Sequence, residues 1–331
     1  MRTHLSALVL TLASACGAPV ASTVTSQEAS ACTSLAPVAE DVAVSNAFGS
    51  LQGTLTLPGG CGPVPAVLLI AGSGPTDRDG NSGAALQANT YRLIAEGLGA
   101  RGVAVLRYDK AGVGSSRAAA PASEEAMRFE MGAEDAALFL NQLRADPRIS
   151  RVVIAGHSEG ALLGVLVAER AAIDGYVSIA GAGRPVGVIL REQLSKQPSA
   201  APLLAQANAL LEQLEAGNTV SAVPPALEAL FRPSVQPYFI SWLKYDPAHE
   251  LASLMAPALI VQGTTDSQVD VADARLLAAA RPDAELLIID GMSHVLKAAA
   301  LDAAAQQRAY SDPTLPIVPE LLDRLVAAAN P

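Results

Sequence analysis

In "RVVIAGHSEGALLG", Arg151 to Gly164, four apolar residues lead into Gly-His-Ser-Glu-Gly and then into a helix-like run. A serine between two glycines is either an ordinary turn residue or a nucleophile, and its surroundings distinguish the two. A buried strand before Gly-x-Ser-x-Gly and a helix after it predict a tight turn that lifts the Ser158 hydroxyl to the carboxyl edge of a sheet. Gly156 and Gly160 would let backbone and neighbouring elements approach closely there.

A serine hydroxyl is a poor nucleophile until a base takes its proton. The chain has four histidines: His4, His157, His249 and His294. His4 sits near the start of the chain, and His157, adjacent to Ser158 on a sharp turn, should point away from it. His249, in "YDPAHEL", reads as exposed or capping. His294 lies four residues past the strand "LLIID", in the loop "GMSH", where a base is needed. Its imidazole also needs a carboxylate to fix the tautomer and stabilise the cation. Asp266, just beyond "LIVQGT", is placed for that role. Its rivals read otherwise: Asp270 as a helix N-cap, Asp273 as a helix residue, and Asp290 as the end of the preceding strand. The oxyanion of an acyl-transfer intermediate would take two backbone amides, that of Glu159 and one from "AGSGPTDRDGNS", most simply Ser73. The chemistry that these residues would support is acyl transfer through Ser158, His294 and Asp266, with no metal or organic cofactor required.

These residues need a frame. "VAVSNAFGSLQGTLTLP" alternates as two antiparallel strands joined at Asn46 to Gly49. "VPAVLLIAG" is a near-continuous apolar run suited to a strand buried on both faces. Strand and helix patterns then alternate through "YRLIAEGLGARG", "VAVLRYD", an amphipathic stretch from Glu124 to Leu143, "RVVIAG", "GALLGVLVAERAA" and "GYVSIAG". The series resumes with "APALIVQG", a helix from about Ala272, "AELLIID" and C-terminal helices. Such alternation means crossover units and a parallel sheet, an α/β fold. Between the two series, residues 185–234 carry helical periodicity and no strand, and read as a helical insertion, either a lid over the site or extra scaffold.

Half of the 331 residues are hydrophobic, enough for one large core with an inserted segment. The formal charge of -10 and the lack of a Lys/Arg cluster argue against a nucleic-acid footprint, and 4% aromatic residues leave little for base stacking.

"MRTHLSALVLTLASAC" has the layout of an export signal and is too short for a membrane span. An extracytoplasmic location, periplasmic or secreted, is therefore expected. Residues 1–16 read as the signal and 17–40 as a flexible leader. Leu12 to Cys16 looks like a bacterial lipoprotein cleavage box, which would lipidate Cys16 and attach the chain to a membrane. Ordinary cleavage nearby is the alternative. Cys32 and Cys61 then remain as a pair that an oxidising compartment would let form a disulfide, the alternative being two free thiols.

"GHSEG", "GSGPTDRDG", "RYDKAGVGSS", "QGTTDSQV" and "GMSHVLK" together resemble a bacterial carboxylesterase subgroup of the α/β-hydrolase superfamily, related to serine-aminopeptidase-like and acylglycerol-lipase-like members. The resemblance spans residues 41–330. It implies an α/β-hydrolase fold with a mostly parallel eight-stranded sheet flanked by helices, a helical cap from the insertion, and hydrolysis of small carboxylic esters. It carries Ser158, Asp266 and His294 over as the triad. Ala111 departs from it, since the family usually has Arg there. Asp77, Arg78, Asp79, Asp109 and Lys110 form charged loops beside the expected site, either pairing to hold the oxyanion loop or, through Arg78, meeting an anionic substrate group. A peptidase or amidase using the same triad, and a non-catalytic binding protein on the same fold, are the competing functions; chemistry lost from a retained fold would show as a missing triad member.

Overall fold

Strand β1 (Val38–Ser45) and strand β2 (Ser50–Leu57) pair antiparallel around the turn at Asn46, whose side chain accepts from the amides of Phe48 and Gly49. The structure, a computed structural model, describes residues 36–60, 62–196 and 198–331, apart from the side chains of 198–200. The export signal, most of the leader and all three cysteines, Cys16, Cys32 and Cys61, lie outside the described residues. Strand β1 begins three residues inside the predicted leader, because Val38, Ala39 and Glu40 pair with Leu57, Thr56 and Leu55.

The sheet continues through β3 (Val64–Ile70), β4 (Ala104–Tyr108), β5 (Ile149–His157), β6 (Gly175–Ile179), β7 (Ala258–Gly263) and β8 (Glu285–Ile289). The eight strands lie in the order β1-β2-β4-β3-β5-β6-β7-β8, antiparallel at β1, β2 and β4 and parallel from there on. Alternation along the strands divides the core. Ala66, Leu68 and Ile70 of β3 join one apolar cluster, whereas Val67 and Leu69 join the other.

Helix α1 (Thr90–Gly99) and the C-terminal helix, Pro319–Ala329, cover the second face through Ile94, Leu98, Leu321 and Leu325. Helices α2 (Phe129–Ala145) and α3 (Glu159–Ala168) cover the first. Helix α3, "EGALLGVLVA", is apolar nearly all round and buried along its length, the pattern of a helix enclosed on every side. The predicted start of α2 at Glu124 is five residues early: Glu124–Ala126 form one 3₁₀ turn, and Met127 and Arg128 are extended. Glu124 is occupied there by Arg232 and Ser234.

Between β6 and β7 the described chain is helical and carries no strand: α4 (Val186–Ser195), α5 (Leu204–Glu215), α6 (Glu228–Phe231), α7 (Gln236–Trp242) and α8 (Pro247–Ser253). The run extends past the expected limit at 234, because Phe239 packs into the same small cluster as Leu211, Leu214 and Phe231. Trp242 stacks on Phe129 of α2, with ring centroids 5.1 Å apart and planes 3° from parallel. Ser241 Oγ accepts from the Phe129 amide at 2.8 Å. Helix α9 (Val271–Ala280) follows β7 and is capped by Asp270, whose side chain accepts from Ala272 N. Helix α10 (Ala303–Ser311) precedes the C-terminal helix, α11 (Pro319–Ala329). No helix among the described residues is long and apolar enough to cross a membrane.

Candidate active site

Ser158 stands between β5 and α3 with φ 55° and ψ -120°, a region that side chains other than glycine rarely occupy. Strain of this kind costs about 1–3 kcal/mol and persists only where neighbours enforce it. Here the glycines enforce it. A Cβ on Gly156 would stand 2.1 Å from Gly160 O, and one on Gly160 would stand 2.3 Å from Ile70 O. The turn is therefore pressed against the end of β3, which no larger residue at either position would allow.

His294 and Asp266 meet across the ends of β8 and β7. His294 Nδ1 lies 2.8 Å from Asp266 Oδ2, and both side chains are buried. A carboxylate only accepts, so Nδ1 carries the proton and Nε2 is left free to receive one. Asp266 also accepts from the amides of Gln268 at 2.8 Å and Val269 at 3.0 Å, and from Gln262 Nε2 at 3.0 Å. Burial would raise the Asp266 carboxyl, but His294 and these donors outweigh it and hold the group below the usual carboxylate range. Among the described residues no direct hydrogen bond joins Ser158 Oγ to His294. Such bonds are often long in the resting state and tighten when substrate is present.

The loop carrying His294 is braced. Ser293 bonds Lys297 O through both its amide and its hydroxyl, and the buried Lys297 donates to Asp312 O. Thr90 Oγ1 donates to Val295 O.

Ser73 and Glu159 both line the site, and neither amide has a hydrogen-bond partner among the described residues. Glu159 opens α3, where the first amides have no intrahelical partner and the dipole favours negative charge. Ser73 is aimed by Lys110, whose Nζ donates to Gly72 O. That carbonyl and the Ser73 N–H share one trans peptide plane and point in opposite directions, so holding one directs the other. On its other side the Gly72 amide donates to Tyr91 Oη at 2.9 Å. Burial pushes the Lys110 ammonium down and the Glu159 carboxyl up, and each opposes the other's shift.

A cavity of about 660 Å³ opens at Ser158. Its walls are Tyr108, Ala111, Met131 and Leu162 from the sheet side and Leu190, Leu230, Phe239 and Trp242 from the helical insertion. Ala111, Met127, Met131 and Asp135 also face a neighbouring cavity of about 270 Å³.

The remaining charged candidates are structural. Arg78 is paired with Asp109 at 2.9 Å and donates to Gly53 O, and it does not line the cavity. Asp273 is buried and bound by Arg184, which ties α9 to the loop after β6. Asp290 accepts from Thr264 Oγ1, and His249 is exposed on α8. His157 is turned away from the cavity, into contacts that the sequence does not announce. Tyr91 and Lys297 were likewise invisible as site residues, since their partners lie 66 and 15 positions away, whereas Lys110, expected among the charged loops beside the site, holds the oxyanion loop through the Gly72 carbonyl rather than through a charged partner. No group of three or more His, Cys, Asp or Glu that could hold a metal ion occurs among the described residues.

The chain is 32% identical over 251 residues to Esterase EstD of Thermotoga maritima, a match covering 74% of this chain. The match spans 58% of that relative's length. Among solved structures, the α/β hydrolase GrgF from Penicillium sp. sh18 superposes with a TM-score of 0.57 at 19% identity, covering 88% of this chain and 98% of that one. The esterase domain of a Rhodothermus marinus protein superposes with a TM-score of 0.54 at 18% identity, covering 88% of this chain and all of that one. The model of the alpha/beta hydrolase family matches residues 67–307, from β3 through Ser158, Asp266 and His294, and the chain belongs to that family.

Proposed function

We propose that the protein is a serine carboxylesterase that cleaves small carboxylic esters through an acyl-enzyme. Ser158 attacks the acyl carbonyl while His294 Nε2 takes its proton. The oxyanion forms against the amides of Ser73 and Glu159. Imidazolium His294 then protonates the leaving alcohol, and a water activated by the same imidazole releases the acid. Asp266 holds the tautomer and stabilises the cation. The observation that carries this reading is the Asp266–His294 pair at 2.8 Å at the same sheet edge as a serine on a strained turn beside two unengaged amides. The named esterase relative supports the ester class over amides.

Residues 185–234, with α7, form the lid in this reading, and Ala111 widens the cavity where a longer side chain would enter it. The export signal, lipidation or cleavage near Cys16, and a Cys32–Cys61 disulfide belong to the same proposal and rest on the sequence. The test is a fluorophosphonate probe with peptide mapping, alongside turnover of an acyl-ester series. Adduct at Ser158 and ester turnover are expected, and Ser158→Ala should lose both. A folded Ser158→Ala protein with the parent's activity would overturn the assignment, and a faster amide than matching ester would replace esterase by amidase.

A further inference from the structure

His157 is buried and is not part of the triad, yet both its ring nitrogens are engaged. Nε2 lies 2.8 Å from the backbone carbonyl of His294, and Nδ1 lies 2.8 Å from Tyr91 Oη. A carbonyl only accepts, so Nε2 bears the proton and Nδ1 accepts from the Tyr91 hydroxyl. Tyr91 Oη in turn accepts from the Gly72 amide. The result is one directed chain: Gly72 N–H to Tyr91, Tyr91 O–H to His157, and His157 Nε2–H to His294 C=O. Its first member precedes the Ser73 donor, and its last is the backbone of the base.

We propose that His157 is a positioning residue, held as a single Nε2–H tautomer, that sets the spacing between the Ser73 oxyanion donor and the His294 base. The proposal rests on the serine-esterase reading of the site. A second proton on His157 would leave the Tyr91 hydroxyl without its acceptor. It would also place a charge against His294, whose ring centre is 4.8 Å away. Burial and the His294 ring push His157 down to about 3, against weaker opposing pulls from the hydrogen bond to the His294 carbonyl and from Asp266. The bridge therefore keeps one form while His294 charges and discharges beside it. Burial alone requires both nitrogens to be satisfied; what sets this pair apart is that one partner holds the oxyanion loop at Gly72 and the other is the backbone of the base.

Two half-bridges separate these roles. Asn at 157 can reach Tyr91 but not His294, and Gln can reach His294 but not Tyr91. If continuity matters, His157→Asn, His157→Gln and Tyr91→Phe should each lower kcat on a small acyl ester about 10- to 100-fold with KM within about twofold, the loss expected for sub-ångström to 1 Å misplacement. Affinity for a boronic acid that adds to Ser158 should fall by the same factor. Combining Tyr91→Phe with either His157 variant should add little, because one chain is already broken. Folded variants that keep parental kcat and boronate affinity would overturn the proposal. An independent readout is ¹⁵N-histidine NMR of the parent. It should show a His157 signal with Nε2 protonated and Nδ1 bare, unchanged from pH 5 to 8 among Tyr91, His294 and Asp266, and absent from the Asn variant. Titration in that range, or an Nδ1–H tautomer, would overturn it even with no kinetics. A parent inactive on esters and unlabelled at Ser158 would remove the esterase reading instead.

Discussion

Replacing Gly160 by alanine tests whether the elbow depends on contact with β3. The new Cβ would lie 2.3 Å from Ile70 O and 2.7 Å from Ala71 O. Both are backbone atoms, so neither can rotate away. Ordinary contact begins near 3.4 Å, which requires the elbow and the end of β3 to separate by about 1 Å. β3 leads directly to Gly72 and Ser73, so the separation draws one oxyanion donor away from Ser158 and from the other donor. A misplacement of about 1 Å can cost about 10²-fold in rate. Overpacking adds about 1–3 kcal/mol of destabilisation, against a helix-propensity gain of at most about 1 kcal/mol. The assay is kcat on p-nitrophenyl acetate with Tm measured on the same preparation. The expected result is a fall in kcat of about two orders of magnitude with a lowered Tm. Gly97→Ala is the control, because its Cβ meets Leu322 Cδ1, a methyl at the end of a side chain that can turn aside, at 2.8 Å. It should leave kcat unchanged. Gly160→Ala with parental kcat would refute the reasoning, since it would show that the elbow tolerates the displacement.

Further outcomes follow from other parts of the structure. Asp266→Asn presents an amide to His294 Nδ1 and favours the wrong tautomer, so kcat should drop on the order of 10³- to 10⁴-fold, with a lowered Tm because the buried carboxylate and its donors no longer match. Burial, opposed by the Asn46 hydrogen bond, raises Asp135 to about 6. The folded chain thus binds that proton more tightly than the unfolded chain, and its stability gains as pH falls from about 6 to about 4. Asp135→Asn should remove this slope, with a Tm above the parent's at pH 8, worth about 1–3 kcal/mol, and a difference that closes near pH 4. Phe129→Ala removes a fully buried ring from both the core and the Trp242 stack. It should cost about 3–5 kcal/mol, and Trp242, the single tryptophan, should report the change in its fluorescence.

What could be read in the sequence was what local pattern encodes. The strand β3 and helix α3 are continuous apolar segments, and the elbow between strand and helix is spelled by adjacent residues. Asp266 and His294 were legible because each follows a recognisable strand by a short loop, which fixes the sheet edge at which it emerges. His157 was read only as a rejected base, since its value lies in Tyr91 and in the backbone of His294, neither of which sequence spacing can place. Asp273 was read correctly as helical, yet its Arg184 partner sits 89 positions away. The insertion was bounded too early, at 234, because local pattern does not announce that Phe239 packs against Phe231 and continues the helical run.

The helical insertion carries an apolar cluster of its own, built from Ala207, Leu210, Leu211, Leu214, Leu227, Phe231 and Phe239 and separate from the two that sandwich the sheet. Variation within it can therefore reshape the cavity roof at Leu230 and Phe239 while the elbow, the His294 loop and the oxyanion strand keep the packing that aligns them. On the proposed esterase reading, heritable change in substrate preference and retention of catalysis are in this way assigned to different parts of the chain, which would let a lineage explore new esters without first dismantling the machinery proposed to hydrolyse them.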